Sequence, residues 1–341
     1  MITDARALRP EFIPQELCHR EGQIAHLSSA LRPITNGDPG EHTFIFGPSG
    51  TGKTTTAKFV LRQLEREALD IRWGYINCMS NSSKSAVLHG LARHAGRAAD
   101  LRIEGTPAST FVDRIRELDG QFVAVLDEVD VLEDPTTIPA LYDLSNVTLI
   151  LITVHEDDLF ADLDDDTGLN GRVGSRLRSA EKVCLDKYSQ DQMCDILQGR
   201  IDAGFRDGAV NDETVSYIAD VAAGDARLGI ALLRRSARWA VEMQHRQITP
   251  DIVDEVDDDA REEIHSRHVD ALSTHQRMLY EIIKERGEIE AGELRAEYER
   301  RAGSSAKSAR MRRKYLHGLQ RYKLIRSHGS GRWKRYEIRQ Y

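Results

Sequence analysis

Residues 47–54 carry the side chains best suited to phosphate chemistry. The segment reads Gly-Pro-Ser-Gly-Thr-Gly-Lys-Thr and matches the pattern G-x-x-x-x-G-K-[S/T] in full. Its glycines allow backbone N–H groups to wrap a phosphate chain. Lys53 is then expected to reach the β- and γ-phosphates of a nucleotide, and the Thr54 hydroxyl to ligate Mg²⁺. The other residues expected to contact the nucleotide here are Gly50, Thr51, Gly52 and Thr55.

Two carboxylates predict the second half of the same site. The apolar run 122–126 is followed at once by Asp127 and Glu128. A buried strand that ends in two acids would place Asp127 beside Mg²⁺ and allow Glu128 to polarise an attacking water. The alternative is an ordinary strand followed by a capped helix, with the acids as caps. Asp130 is expected to cap that helix or to face solvent.

The elements that must position these residues predict an α/β fold with a parallel sheet. In the first half of the chain, short apolar runs alternate with helical patterns. The phosphate loop falls between a strand and a helix, whose positive N-terminal end favours an anion. Strand-like runs lie at 43–46, 72–77, 121–126, 148–154 and 182–185, with helical patterns at 54–68 and 85–95 among them.

After residue 186 the strand pattern fades and helical patterns predominate. They cover residues 190–203, 212–222 and 228–244, followed by an acidic segment at 249–263. The last unit combines helical patterns at 274–284, 291–300 and 306–320 with a β-hairpin at 326–340. We therefore expect an α/β base over residues 1–186, a helical lid over 187–265 and a third domain over 266–341.

Charge is distributed unevenly along the 341 residues. The formal net charge is −8, which by itself argues against a nucleic-acid binder. Residues 300–341, however, contain 14 Lys or Arg and one acidic residue, so that this segment carries +13 and the remaining 299 residues carry −21. The C-terminal end is therefore predicted to bind a polyanion.

The third helical pattern of the last unit is the basic one, and it predicts a helix that enters the major groove of double-stranded DNA. Its apolar residues recur at helical spacing and should dock onto the two preceding helices; they are Met311, Tyr315, Leu316 and Leu319. The outward face would then carry Lys307, Arg310, Arg313 and Lys314. In the hairpin, Arg332, Lys334 and Arg335 are expected to contact the minor groove or the backbone. Trp333 either inserts at the DNA or packs the hairpin against its own helices.

Composition excludes several classes of protein. A chain of this length supports a buried core, so disorder and small disulfide scaffolds are excluded. The four cysteines are scattered without metal-ligand spacing, which favours a reduced chain without structural zinc. The longest apolar stretch, near residues 147–154, is too short for a bilayer. We expect a cytoplasmic, nucleoid-associated protein with no membrane partner.

Taken together, these motifs resemble an AAA+ ATPase with a C-terminal winged helix. They are most similar to the archaeal replication-initiator family, which is related to the large subunit of the origin recognition complex and to the helicase-loading cell-division-cycle protein. The similarity runs along nearly the whole chain and its motifs follow the family order. It implies ATP or ADP and Mg²⁺ as cofactors, and origin DNA, the replicative helicase and further copies of the chain as partners.

The resemblance also implies roles for residues outside the phosphate loop. Residues 13–21 resemble the family's segment that packs over the adenine, with Ile13 as the contact, although an ordinary turn before a helix fits as well. Tyr188 would lie near the adenine and Arg200 near the nucleotide; the alternative is a core helix with an arginine at its edge. Arg227, after the N-cap candidate Asp225, would reach the γ-phosphate when the lid closes.

Two further positions bear on hydrolysis. Arg176 resembles the family's arginine finger, which reaches the γ-phosphate of a neighbouring subunit; Arg172 is the second choice, and a solvated surface arginine is the alternative. The family usually places a polar sensor, commonly Asn, at the end of the strand 148–154. Here Thr153 and His155 occupy that region. The departure predicts slow hydrolysis with ATP binding intact.

The resulting interpretation is an ATP-dependent initiator that recognises origin DNA and helps to recruit the replicative helicase. One alternative is an AAA+ branch-migration motor, which needs vigorous DNA-stimulated turnover. Another is a nucleotide-gated DNA-binding regulator without a role in helicase loading.

Overall fold

A five-stranded parallel sheet forms the centre of the N-terminal part of the chain. The computed structural model describes residues 1–68, 71–154 and 175–339. The strands are β1 (Thr43–Phe46), β2 (Arg72–Asn77), β3 (Phe122–Asp127), β4 (Val147–Thr153) and β5 (Glu181–Cys184). Their order is β2-β3-β4-β1-β5, and all four neighbouring pairs run parallel. The predicted parallel α/β sheet is confirmed.

The register of the sheet brings the site residues to one edge. Every residue of β3 and β4 is buried, as expected for central strands covered on both faces. Asp127 at the end of β3 pairs with Asn77 and Ile152, while Phe46 at the end of β1 pairs with Thr153. The carboxyl ends of β1 and β3 therefore meet, which is where open parallel sheets bind ligands.

Among the described residues of the base, five α-helices accompany the sheet. They are α1 (Glu21–Leu31), α2 (Lys53–Glu67), α3 (Lys84–His94), α4 (Ala108–Arg116) and α5 (Thr137–Tyr142). The sequence patterns for α2 and α3 agree with the structure to within one residue at each end. Because α2 begins directly after the phosphate loop, its unpaired N-terminal N–H groups lie beside that loop.

Four helices follow the sheet and pack around an apolar core that is separate from the core of the base. They are α6 (Gln190–Gly204), α7 (Asp212–Ala222), α8 (Ala226–Glu242) and α9 (Pro250–Asp270). Ser189 caps α6 through a capping box with Gln192. Asp225 caps α8 by accepting from the N–H groups of Arg227 and Leu228, which confirms its predicted role. Helix α9 continues past residue 265, where we expected the lid to end.

The C-terminal part combines three helices with a small antiparallel sheet. In chain order the elements are α10 (Thr274–Arg286), β6 (Glu288–Glu290), α11 (Ala291–Ala302), α12 (Ala309–Arg321), β7 (Ile325–His328) and β8 (Arg335–Ile338). The strand order is β6-β8-β7. The hairpin of β7 and β8 confirms the sequence pattern, and β6 adds a third strand too short to show a pattern of its own. These elements are the three helices and the hairpin that the sequence patterns predict for this unit, with β6 added.

The C-terminal part packs directly on the base. One continuous apolar cluster includes Phe44 and Leu88 of the base together with Leu279, Tyr315 and Leu319 of the C-terminal helices. Of the apolar residues predicted on α12, Tyr315, Leu316 and Leu319 are buried, while Met311 is partly buried against the same cluster. In the part of the chain that the structure describes, no helix is both long and apolar enough to cross a membrane.

Candidate functional site

The phosphate loop is held open by two glycines with left-handed backbone. Gly50 and Gly52 have φ values of +77° and +89°. A Cβ at Gly50 would lie 1.9 Å from Oδ1 of Asp225, and one at Gly52 would lie 2.7 Å from the Tyr188 hydroxyl. Both positions therefore require glycine for conformation and for space. The contact with Asp225 also places the first turn of α8 against the loop.

Lys53 projects into the loop that it terminates. Its Nζ donates hydrogen bonds to the carbonyl oxygens of Gly47, at 2.7 Å, and Pro48, at 2.8 Å. Burial lowers the pKa of Lys53, while Glu128 and Asp127 act in the opposite direction. The ammonium group thus lies inside a concave backbone loop, a placement suited to a phosphate oxygen.

Thr54 and Asp127 are brought together as predicted. The Thr54 hydroxyl donates to Oδ2 of Asp127 at 2.5 Å, and the Tyr75 hydroxyl donates to the same oxygen at 2.8 Å. A hydroxyl and a carboxylate side by side are ligands that Mg²⁺ accepts when phosphate oxygens and water complete its shell. Among the described residues no group of three or more His, Cys, Asp or Glu could hold a metal. The donor set therefore fits a nucleotide-bound Mg²⁺.

Glu128 has a strained backbone and an unusual environment. It is a non-glycine residue with φ of +54°, and such strain often accompanies a functional position. Its Oε2 is buried and has no hydrogen-bond partner among the described residues. Burial, followed by the nearby charges of Asp127 and Asp130, raises the pKa of Glu128 to about 7. A carboxyl group in this environment is suited to proton transfer near neutral pH.

A cavity of about 360 Å³ lies in front of these groups and is shared by all parts of the chain. The phosphate loop and the two carboxylates form one wall. Arg227 and Arg200 contribute from the lid, His268 from α9 and Tyr322 from the C-terminal part. A pocket of this size, with cations converging on a glycine-rich loop, is suited to a nucleotide.

Arg227 and Arg200, two of the arginines that line the cavity, have different partners. Arg227 Nη1 hydrogen-bonds Nε2 of His268 at 2.7 Å, so the lid arginine contacts α9. Arg200 donates to the backbone carbonyls of Ala7, at 2.7 Å, and Arg9, at 3.0 Å. Arg200 therefore ties the N-terminal segment to α6 while it lines the cavity.

Tyr188 and Ile13 lie outside the lining of this cavity. The Tyr188 ring is buried behind the phosphate loop, and Ile13 packs against the core on the α2 side of the sheet. Arg20, to which we assigned no role from the sequence, stacks 3.8 Å over the Tyr188 ring and donates to the carbonyl of Thr51 at 3.0 Å. Arg20 and Tyr188 thereby support the phosphate loop. The motif 13–21 contains Arg20, but no local pattern shows its contact with Thr51.

The expectation for Asp130 was wrong. Its side chain is buried, forms an ion pair with Arg321 and accepts a hydrogen bond from the Thr153 hydroxyl at 2.8 Å. A buried carboxylate requires such partners, and one of them lies 191 residues away in the sequence. Thr153, considered as a sensor, is thus directed at Asp130. The other sensor candidate, His155, lies outside the described residues.

Arg176 is exposed and does not line the cavity. Its expected contact is with another subunit, so its role remains a prediction. Arg172, the second choice, lies outside the described residues.

The orientation expected for Lys307 and Lys314 was wrong in this structure. Lys307 Nζ lies 2.9 Å from Oε2 of Glu133, and Lys314 Nζ donates to the Leu132 carbonyl at 2.7 Å. The Tyr315 hydroxyl donates to the other oxygen of Glu133 at 2.8 Å. Lys307 lies just before α12, whereas Lys314 and Tyr315 lie within it, and this side of the segment packs on the turn after β3 instead of facing solvent.

Other basic residues remain outside that interface. Arg313 is exposed and its Nε donates only a long bond, 3.4 Å, to the Ala309 carbonyl. Arg310 is partly exposed, Arg335 pairs with Glu290 at 2.7 Å, and Lys334 lies 5.2 Å from the Tyr336 ring. The side chain of Arg332 lies outside the described part. Trp333 is 66% exposed, so most of its indole does not pack against the helices.

Comparison with known families agrees with this architecture. A family model described as an AAA domain matches residues 38–158, and one described as a Cdc6 AAA+ ATPase-type lid domain matches residues 194–258. The structure is similar to that of Aeropyrum pernix Orc1 in complex with DNA, with a TM-score of 0.72 and 24% identity over 99% of this chain and 93% of the other. For Cdc6p of Pyrobaculum aerophilum the values are 0.65 and 22%, over 99% and 94%. These likenesses confirm the fold.

Relatives in sequence extend over almost the full chain. ORC1-type DNA replication protein 9 of Halobacterium salinarum is 38% identical over 99% of this chain and 94% of its own length. ORC1-type DNA replication protein 1 of the same organism is 40% identical over 86% of this chain and 94% of its own length. The resemblance inferred from the motifs is confirmed, and the chain belongs to the family of ORC1-type DNA replication proteins.

Proposed function

We propose that this protein is a replication initiator that binds origin DNA under the control of ATP and helps to recruit the replicative helicase. The observation that carries the proposal is the shared cavity: the phosphate loop, the lid arginine Arg227 and Tyr322 of the C-terminal part all border it. A ligand there contacts every part of the chain at once. Its phosphates can therefore influence how the C-terminal part is held.

The roles within the cleft follow from its geometry. Gly50, Gly52 and Lys53 hold the phosphates, while Thr54 and Asp127 hold Mg²⁺, which when bound neutralises charge on the terminal phosphates. Glu128 orients the attacking water and takes its proton. Arg227 reaches the γ-phosphate by leaving His268, which lies 2.7 Å away in the same cavity. Arg176 serves a neighbouring copy of the chain.

DNA contact is assigned to the exposed side of α12 and to the hairpin. Arg310, Arg313, Lys334 and Arg335, together with Arg332, supply cations for phosphates and base edges. Residues 300–341 carry a net charge of +13, while the rest of the chain carries −21. This charge separation supports a duplex bound at the C-terminal end. The H. salinarum relatives are named DNA replication proteins, and the A. pernix relative in structure was solved with DNA.

Two measurements test the proposal. The first maps occupancy of the full-length protein across the genome, with and without the Lys53→Ala substitution. We expect a few sites at replication origins whose occupancy depends on Lys53. Occupancy confined to promoters would favour the regulator instead. The second measures retention of the replicative helicase by the origin-bound protein; its absence would remove the recruiting role and leave DNA binding intact.

A further inference from the structure

Tyr322 connects the C-terminal part to the nucleotide cleft. It is the C-cap residue of α12, the helix to which we assign DNA binding, and it is buried. Its side chain lines the same cavity as Lys53 and Glu128. A residue of the proposed DNA-binding helix therefore lies at the position where the chemistry of the cleft would take place.

Two polar atoms at this point are buried without a well-formed hydrogen bond. Among the described residues, neither Glu128 Oε2 nor the Tyr322 hydroxyl forms a hydrogen bond of good geometry, although the two side chains lie close enough to interact with each other. Buried polar atoms in folded proteins are almost always satisfied by protein or by water. Two such neighbouring atoms on the wall of one cavity leave hydrogen-bonding capacity for a small polar group bound beside them.

The last turn of α12, just before Tyr322, lies against the turn after β3. Arg321 forms an ion pair with the buried carboxylate of Asp130. One helical turn earlier, an added Cβ at Gly318 would lie 3.7 Å from Cγ1 of Val131, which is van der Waals contact. The Tyr322 ring also lies 5.2 Å from the ring of His268. These contacts hold the hydroxyl in a defined place relative to Glu128.

We propose that Tyr322 is a positioning residue for Glu128, and that the hydroxyl and the carboxylate together hold the water that attacks the terminal phosphate. This inference rests on the proposed nucleotide role of the cleft. In the reaction, the water oxygen forms a bond to the γ-phosphorus and the bond from that phosphorus to the β–γ bridging oxygen breaks. The products are ADP and inorganic phosphate, and the proton lost by the water passes to Glu128. Hydrolysis then requires that α12 is docked on the base.

The first test is single-turnover hydrolysis of pre-bound ATP by the full chain. Tyr322→Phe removes only the hydroxyl, and we expect the rate constant to fall about tenfold while the Kd for ATP changes less than twofold. Tyr298→Phe is the matched control, because Tyr298 is buried in the same domain and its hydroxyl bonds Nδ1 of His275 at 2.8 Å, away from the cleft. Thermal melting of both variants confirms that they are folded.

Three outcomes of this test would overturn the inference. They are an unchanged rate in Tyr322→Phe, an equal loss in Tyr298→Phe, and a wild-type chain that retains ATP unhydrolysed. None of the three would exclude nucleotide-dependent DNA binding. The proposed function is therefore tested separately, by the occupancy and helicase-retention measurements.

A second test does not depend on turnover. 3-Fluorotyrosine placed at position 322 gives a ¹⁹F signal that reports the surroundings of the hydroxyl. We expect that signal to shift when a slowly hydrolysed ATP analogue with Mg²⁺ saturates the protein, and to shift less with ADP. The same label at position 298 should not respond. A label at 322 that does not respond to saturating nucleotide contradicts the inference.

Discussion

Lys307, just before helix α12, lies 2.9 Å from Glu133, which belongs to the turn that follows the central strand β3. The other oxygen of the same carboxylate accepts a hydrogen bond from Tyr315 at 2.8 Å. One acidic residue of the base thus holds a tyrosine of the helix that we assign to DNA and a lysine just before that helix. We expect a phosphate group of DNA to compete with Glu133 for Lys307, because both are anions that the ammonium group pairs with.

Removing the charge of Glu133 should therefore strengthen DNA binding. We expect Glu133→Gln to raise the affinity for duplex DNA about threefold to tenfold at low salt, since Lys307 loses its anionic partner while the amide still accepts a bond from Tyr315. Fluorescence anisotropy with a labelled duplex measures the change.

The control for Glu133→Gln must change the net charge equally. Glu117→Gln meets this need because Glu117 is exposed on the base and follows α4. Any rise due to net charge alone appears in both variants. Equal affinities for the two variants would mean that Glu133 does not restrain the DNA-binding helix.

The exposed side of α12 makes a complementary prediction. Arg313→Ala should weaken DNA binding on all sequences and lower the slope of log affinity against log salt by about 0.9, the value for one lost phosphate contact. Nucleotide affinity should not change. Arg66→Ala, at an exposed position of α2, is the matched control. An unchanged salt slope in Arg313→Ala would place the DNA on another surface.

The sequence is sufficient to predict the parts of the site that are contiguous along the chain. Lys53 and Thr54 follow a glycine-rich loop, and Asp127 and Glu128 follow an apolar run, so each pair is visible as a local pattern. That both pairs meet follows from the rule that parallel strands end at one edge of the sheet. The structure shows this meeting as the bond between Thr54 and Asp127.

What the sequence does not reveal are contacts between distant segments. Tyr322 and His268 look like ordinary residues at the ends of helices, and they reach the cleft only because the C-terminal part packs on the base. Helical periodicity over residues 306–320 predicts that Lys307 lies on a polar face. It cannot distinguish DNA from Glu133 as the partner of that face, because both are anionic. Asp130 resembles a cap until Arg321 is placed beside it.

Lys53 allows nucleotide binding to be separated from DNA binding. We expect Lys53→Ala to weaken binding of a fluorescent ATP analogue more than 100-fold, roughly 3 kcal/mol, because a buried ammonium group inside the phosphate loop is lost. DNA affinity measured without nucleotide should stay within about twofold. Lys84→Ala is the control, since the Lys84 ammonium bonds Thr136 at 2.8 Å away from the cavity. Undiminished ATP affinity in Lys53→Ala would rule out the assigned loop.

His268 makes the stability of the protein depend on pH. Burial, followed by the charge of Arg227 on α8 and smaller contributions from His265 and Lys323, lowers the pKa of His268 to about 3. Below the unfolded value of about 6.5 the unfolded chain binds a proton that the folded chain does not, so stability is complete above that pH and falls as the pH drops towards 3. At pH 5 we expect a loss of about 2 kcal/mol from this group.

His268→Gln keeps an acceptor for Arg227 but cannot take up a proton. It should reduce the acid dependence of the free energy of unfolding by that amount, measured by urea unfolding at pH 8 and pH 5. His94→Gln, whose parent residue is exposed at the end of α3, is the control. If the free energy of unfolding falls equally between pH 8 and pH 5 in His268→Gln and in the wild type, folding does not lower the pKa of His268.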